Sequence, residues 1–280
     1  MSTPIPPWQR RTTAIVVVLA IGSTLLGLFR AGHYPPSLLP AFYVQDLVIL
    51  LVGVPALAFG LRSARAGSLR GRLLWLGALA FMTYMWVSIG LQVPFNGFFL
   101  GYVALFGLSL FTFVGGVVGT DADAVTEAVG DVISERRYGA VLGLIAAGLA
   151  ALWLSELVPA TLTGTPPLLV EEVGPKALVS HFLDLAVVVP ALTVVAAWLW
   201  QGRPWGYVLA GVALVFGALL APAIASMTLA LFLSGGVTLP LVAVVFTVLP
   251  VLVAAAFAVR YLRRIPGRDR LAGADSDRSV

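Results

Sequence analysis

Eight apolar stretches of about 20 residues, separated by short polar segments, make up most of the 280-residue chain. A helix of about 20 residues crosses the ~30 Å hydrocarbon layer of a bilayer, where only helices or closed barrels satisfy their backbone polar groups. The pattern therefore predicts an all-α, polytopic transmembrane helical bundle with about eight spans. The predicted spans are residues 12–30, 41–62, 73–92, 98–119, 138–156, 181–201, 206–233 and 241–262.

The composition supports a membrane protein and excludes several other classes. Hydrophobic residues make up 60% of the chain and charged residues 11%, with a mean hydropathy of +1.00, which is outside the soluble globular range. The pI near 9.8 does not indicate nucleic-acid binding, because the arginines lie at helix ends rather than in one basic patch. Cysteine is absent, which excludes disulfides, thiolate metal sites and a thiol nucleophile.

The distribution of basic residues predicts the orientation. With the N-terminus inside, only Arg30 and Lys176 of the 17 basic residues lie outside, which leaves 15 inside. Because cytoplasmic loops of membrane proteins are enriched in Lys and Arg, we expect both termini to be cytoplasmic and the protein to lie in the cell (plasma) membrane. The 15 residues are Arg10, Arg11, Arg62, Arg65, Arg70, Arg72, Arg136, Arg137, Arg203, Arg260, Arg263, Arg264, Arg268, Arg270 and Arg278.

The order of landmarks along the chain predicts a tandem repeat of two four-helix halves with parallel orientation. An arginine pair precedes spans one and five, a proline pair with two leucines follows each, and spans two and six each carry an acid followed by a proline. The predicted units are a first half (residues 1–119), a cytoplasmic amphipathic connector (120–137), a second half (138–262) and a disordered cytoplasmic tail (263–280). In the connector, Thr120 and Asp123 are expected to form a capping box.

Ionisable residues within a span are costly and are therefore functional hypotheses. Asp46 and Asp184 are predicted at equivalent places in the two halves, about one turn from the outer end of their spans. Polar side chains at similar depth are expected to complete an outward-facing vestibule. The predicted proton-, cation- or substrate-binding residues are Asp46, Asp184, His181, Tyr43, Gln45, Ser88, Gln92 and Asn96.

Structural interpretations of the same residues stay open. Both acids lie near the membrane border, where water solvates a carboxylate, and near a helix N-terminus, where a negative charge is favourable. His181 is also typical of an interfacial residue. A metal site with Glu156 lacks a two-histidine spacing, and nucleotide-binding, zinc-protease and hydrolase motifs are absent from the sequence, so we predict no metal and no cofactor.

The sequence predicts an integral membrane protein, and a small-molecule or ion transporter or channel is the leading hypothesis for its function. The expected partners are the lipid bilayer and a small solute, proton or cation, with no nucleic acid. The alternative is a non-catalytic membrane subunit or scaffold, for which oligomerisation or a protein partner is expected. A membrane enzyme acting on lipid-linked substrates is less favoured, because no basic cluster lies outside to hold a phosphate headgroup.

One stretch of the chain resembles a known pattern. Three segments are similar to a recurring pattern of uncharacterised prokaryotic multi-pass membrane proteins of about eight helices. They are Tyr43-Val44-Gln45-Asp46-Leu47, Gly67-Ser68-Leu69-Arg70-Gly71 and Pro94-Phe95-Asn96. This resemblance implies the fold class. It implies no activity.

Overall fold

The chain is helical throughout the part that its structure, a computed structural model, describes: residues 4–35, 39–233 and 241–265. All regular elements in these ranges are helices. Numbered along the chain, they are α1 (Pro7–Phe29), α2 (Leu39–Arg65), α3 (Leu69–Gln92), α4 (Phe99–Val118), α5 (Ala122–Val129), α6 (Glu135–Thr163), α7 (Leu168–Val173), α8 (Pro175–Trp200), α9 (Pro204–Leu233) and α10 (Leu241–Arg264).

Seven of these helices are long and apolar enough to cross a membrane: α1, α2, α3, α4, α6, α8 and α9. The prediction of a multi-pass helical membrane protein is thereby confirmed. The eighth predicted span coincides with α10. Its membrane crossing and the cytoplasmic location of the termini stay predictions.

Several helix ends lie outside the predicted spans, and two differences affect the predicted units. α6 runs seven residues beyond the predicted end at 156, through Pro159, and stops at Thr163 before Gly164, which has φ +69°. The predicted tail of residues 263–280 is described only as far as residue 265. There α10 extends to Arg264, and the carbonyl of Ile265 accepts a hydrogen bond from Arg70 Nε at 2.7 Å.

Helices α3 and α9 form the centre of the bundle. In their apolar stretches 67% and 50% of the residues are buried, against 11% in α6. The two helices pack closely, since a Cβ on Gly77 would lie 2.4 Å from Val215 Cγ1. Around this pair the contacts repeat: α3 packs against α2 and α4, α9 packs against α8 and α10, and α1 and α6 make matching contacts in their own halves.

In the described residues, two π-helical turns each precede a proline. The turns are Ile49–Gly53 in α2 and Asp184–Val188 in α8, which are 135 positions apart (184 − 49). The same sequence, Val-Pro-Ala-Leu, follows each turn at residues 54–57 and 189–192. Proline lacks an N–H and clashes with the carbonyl four residues earlier, and a wider turn relieves that clash.

The connections that follow α2 and α8 contain glycines that are also 135 positions apart. Gly67 and Gly202 have φ values of +82° and +64°, in the left-handed region that glycine adopts without strain. Four residues later, a Cβ on Gly71 would lie 2.6 Å from the backbone N of Ala64. A Cβ on Gly206 would lie 2.5 Å from the backbone N of the matching residue 199. Both connections therefore fold the chain back in the same tight way.

At this offset the two acids do not match each other. Asp46 corresponds to His181, and Ile49 corresponds to Asp184. Asp46 and Asp184 are 138 positions apart (184 − 46), whereas the two π-helical turns are 135 positions apart. The predicted equivalence of the two acids does not hold at the offset of the turns. In the predicted repeat, the acids would therefore differ in depth by three residues, about 4.5 Å.

Arg72 and the connector lie at the end of the bundle that carries most of the arginines. Arg72 is buried, and its Nη1 donates to the carbonyl of Gly119 at 2.6 Å, at the C-terminus of α4, where a cation is favourable. The predicted capping box is replaced: Asp121 is the N-cap of α5 and accepts from Ala124 N at 3.0 Å. The hydroxyl of Thr120 instead donates to the carbonyl of Gly116.

Candidate functional site

The carboxylate of Asp46 is fully buried between α1, α2 and the turn that joins them. Its Oδ2 accepts a hydrogen bond from the hydroxyl of Tyr34 at 3.0 Å. Its Oδ1 has no hydrogen-bond partner among the described residues. Gly27 of α1 makes room for the contact, because a Cβ there would lie 1.9 Å from Oδ2.

Aromatic and polar residues of the α1–α2 turn and of α4 surround this pair. His33 Nε2 lies 2.8 Å from the Tyr102 hydroxyl, and the His33 ring contacts the edge of Tyr34 with centroids 4.8 Å apart. Asn96 Nδ2 donates to the carbonyl of His33 at 3.4 Å. Burial, followed by the charge of Asp46, raises the pKa of the Tyr34 hydroxyl, which therefore stays a hydrogen-bond donor. His33, Tyr34, Asp46, Asn96 and Tyr102 are the first cluster.

The first cluster gives a pH-dependent stability. Burial, and secondly the charge of Arg30, lower the pKa of His33 from its ordinary value of 6.5. The unfolded chain then binds a proton first as the pH falls, so this contribution to stability is present at higher pH and is lost on acidification below 6.5. We expect the thermal stability of the purified protein to rise from about pH 5 to about pH 7, and more steeply than that of His33→Gln. Parallel pH profiles of the two proteins would contradict this assignment.

The carboxylate of Asp184 has two donors from two other spans. Its Oδ1 accepts from the Tyr84 hydroxyl of α3 at 2.8 Å, and its Oδ2 accepts from Trp153 Nε1 of α6 at 2.9 Å. The ring of His181, one turn earlier in α8, packs on Trp153 with centroids 4.1 Å apart. Glu156, one turn after Trp153, places Oε2 3.6 Å from His181 Nε2. Tyr84, Trp153, Glu156, His181 and Asp184 are the second cluster.

Among the described residues, neither aspartate has a lysine or arginine partner. Within the described part of the chain, no lysine or arginine forms a salt bridge with Asp46 or Asp184, and the hydrogen bonds to both come from neutral groups. An ionised carboxylate in a low-dielectric interior requires compensation of its charge by a cation, a proton or hydrogen bonds. The charge state of each acid therefore depends on the residues of its own cluster.

The described contacts do not join the eight predicted residues into one vestibule. Asp46 and Asn96 lie in the first cluster, and Asp184 and His181 lie in the second. Gln92 donates to Ser88 within α3 at 2.6 Å. The remaining two are on α2, where Tyr43 is exposed and Gln45 has a buried Oε1 without a described partner. An open groove of about 720 Å³ at α1 and Phe98 includes none of the eight.

Besides Glu156, five members of these clusters are not among the residues predicted from the sequence: His33, Tyr34, Tyr84, Tyr102 and Trp153. Tyr34 and Trp153 supply donors to the two acids, and Tyr102 contacts His33. No local pattern distinguishes them from ordinary interfacial or packing aromatics. The one available signal is that Trp153 is a side-chain N–H donor inside an apolar span, where a partner is expected.

No family model, curated protein or solved structure matches the chain. The resemblance to uncharacterised prokaryotic multi-pass membrane proteins therefore stays a prediction. Function has to be argued from the two clusters themselves.

Proposed function

We propose that the protein is a proton-coupled carrier of a small solute in the cell membrane, with Asp46 and Asp184 as its proton-binding groups. The observation that carries this proposal is the environment of Asp184. Its two oxygens are held by Tyr84 and Trp153, which come from two other spans, without a basic counter-ion in the described part of the chain. Intramembrane acids of this kind are typical of proton pathways in pumps and transporters.

The donors around Asp184 favour a proton over a metal cation. The indole N–H of Trp153 is a donor only and offers no lone pair to a cation. The hydroxyl of Tyr84 donates to an ionised carboxylate and, after rotation, accepts from a protonated one. The same site thus satisfies both charge states of Asp184 without moving a helix.

Protonation of Asp184 also acts on the contact between the two halves. Tyr84 belongs to α3 of the first half, and Asp184 belongs to α8 of the second, so their hydrogen bond crosses between the halves. The matching packing, π-helical turns and glycines at an offset of 135 support the proposed tandem parallel repeat. In repeat-built transporters, substrate sites lie at the repeat interface and transport proceeds by movement of one repeat against the other.

Infrared difference spectroscopy of the protein in liposomes tests the proton-binding role. The difference between acid and alkaline spectra is expected to contain a carboxylic-acid band that Asp184→Asn removes. In the same vesicles, a trapped pH-sensitive dye should report proton movement that falls to the level of empty liposomes in Asp184→Asn. Glu127→Gln, at an exposed acid on α5, is the matched control and should behave as wild type. An unchanged band and unchanged proton movement in both Asp46→Asn and Asp184→Asn would rule out the proposal.

The alternative function is a membrane subunit or scaffold, and one observation favours it. α6 has only 11% of its apolar stretch buried within the chain, and Leu144 and Leu162 are 72% and 81% exposed. Such a face packs against lipid or against another membrane helix. Purification from native membranes in a mild detergent followed by native mass spectrometry distinguishes these cases. A stoichiometric partner that Leu144→Arg releases would support the scaffold.

A further inference from the structure

The hydrogen-bonding of His181 determines which of its nitrogens carries a proton. Nδ1 lies 3.0 Å from the carbonyl of Ala177, one turn earlier in α8. A carbonyl oxygen is only an acceptor, so Nδ1 carries the hydrogen in this contact. In the neutral imidazole, Nε2 then presents a lone pair.

That lone pair faces a second acceptor. Nε2 lies 3.6 Å from Glu156 Oε2, and both atoms are buried without a hydrogen-bond partner among the described residues. Two acceptors at this separation repel each other, and the distance is too long for a hydrogen bond. One added proton removes the conflict, because it converts the contact into N–H···O or O–H···N.

We propose that Glu156 and His181 form a site for one proton within the second cluster. This inference rests on the proposed function for its role in transport, although the site itself does not depend on transport. A proton from water joins Oε2 of Glu156 and is shared with Nε2 of His181. No bond to carbon changes, and the site returns to its starting state when the proton leaves.

The pair lies beside Asp184 and reaches solvent through Glu156. The Glu156 side chain is 30% exposed and the His181 side chain 2% exposed, and Asp184 lies one helical turn further along α8. Trp153 packs on the imidazole and donates to Asp184, so it holds both groups in place. Glu156 is thus the more exposed member of the pair and connects the buried His181 ring to solvent.

Among the described side chains, few other ionisable groups lie near this turn. The helices packed against it contribute Tyr84 from α3 and Glu156 from α6. Along the chain itself lie Asp184, Lys176 and, in the preceding short helix, Glu171. Among the described residues, Glu156 is the acid within ion-pair distance of His181. Replacing Glu156 therefore removes the group that shares the proton and leaves the other described partners of the ring in place.

Ring-¹⁵N histidine NMR of the protein in liposomes tests the pair. The chain has two histidines, so His33→Gln leaves His181 as the one imidazole, and His181→Gln in the wild-type background confirms the assignment. At alkaline pH we expect the tautomer with hydrogen on Nδ1. On acidification Nε2 should gain a proton. In Glu156→Gln, where a neutral amide can donate to Nε2, this uptake should shift to lower pH, while the exposed-site control Glu171→Gln should leave it unchanged.

Two results would overturn the inference: a tautomer with hydrogen on Nε2 at alkaline pH, or the same proton uptake in Glu156→Gln and in wild type. The test separates this site from the proposed function. A confirmed pair with proton movement unaffected by Asp184→Asn would retain the site and reject the carrier. If Glu156→Gln leaves the NMR titration unchanged and Asp184→Asn abolishes proton movement, the site is rejected and the carrier is retained.

Discussion

Gly27→Ala is expected to destabilise the first half of the bundle severely. A Cβ at residue 27 would lie 1.9 Å from Asp46 Oδ2 and 2.7 Å from the ring of Tyr34. The carboxylate must leave its place or α1 must move away, and in either case the Tyr34–Asp46 hydrogen bond is lost. Overpacking costs about 1–3 kcal/mol and a stranded buried polar group about 1–3 kcal/mol more. Thermal unfolding in detergent should therefore show a large loss of stability.

Gly22→Ala is the matched control for this variant. Gly22 lies on the same helix, and no atom stands within 4 Å of the position that its Cβ would occupy. Alanine there should be neutral or stabilising, because glycine costs about 0.5–1 kcal/mol inside a helix. In a double-mutant cycle, Asp46→Ala should recover part of the stability that Gly27→Ala loses. Equal melting temperatures for Gly27→Ala and Gly22→Ala would show that the Asp46 contact is not formed as described.

The second large effect is expected at Gly71 and Gly206. Added Cβ atoms there would meet backbone atoms of the preceding helix, at 2.6 Å from Ala64 N and 2.5 Å from Leu199 N. Backbone cannot rotate away as a side chain can, so each helix pair must separate, at a cost of about 1–3 kcal/mol. We expect Gly71→Ala and Gly206→Ala to lower the melting temperature by similar amounts, because they occupy matching positions in the two halves.

Two other helical glycines serve as controls, because alanine is expected to increase stability there instead of decreasing it. At Gly107 and Gly148 an added Cβ would have no atom within 4 Å, so alanine there should raise stability by about 0.5–1 kcal/mol each. The four single variants together separate a packing effect from a general response of helical glycines. A loss at residue 206 without a loss at residue 71 would argue against equivalent packing in the two halves.

The spans were predictable because the requirement for them is local. About 20 consecutive apolar residues are enough to identify a crossing helix, and the fourth span, predicted at residues 98–119, is found at Phe99–Val118. The end of α6 was not predictable in the same way. Glu156 and Pro159 are typical signals for the end of a span, yet the helix continues through both to Thr163. The Glu156 side chain is 30% exposed, so contact with solvent lowers the cost of its carboxylate there.

The candidate site was predicted in part. The cost of an ionisable group within a span identifies Asp46 and Asp184 from sequence alone. Their partners follow from tertiary packing, since the donors stand 12 residues away for Tyr34 and Asp46, 31 for Trp153 and Asp184, and 100 for Tyr84 and Asp184. No periodicity within one helix encodes such pairs. The register of the two halves was also hidden, because it is set by the π-helical turns rather than by the acids.

The register has a consequence for how such a protein arises. Asp46 precedes its π-helical turn by three residues, whereas Asp184 is the first residue of the matching turn. At 1.5 Å per residue the acids stand about 4.5 Å apart in depth. A homodimer of a single half would be forced by its two-fold symmetry to hold both acids at the same depth. In the proposed tandem repeat, joining two copies in one polypeptide would remove that restriction, and His181 would then stand in the place of Asp46.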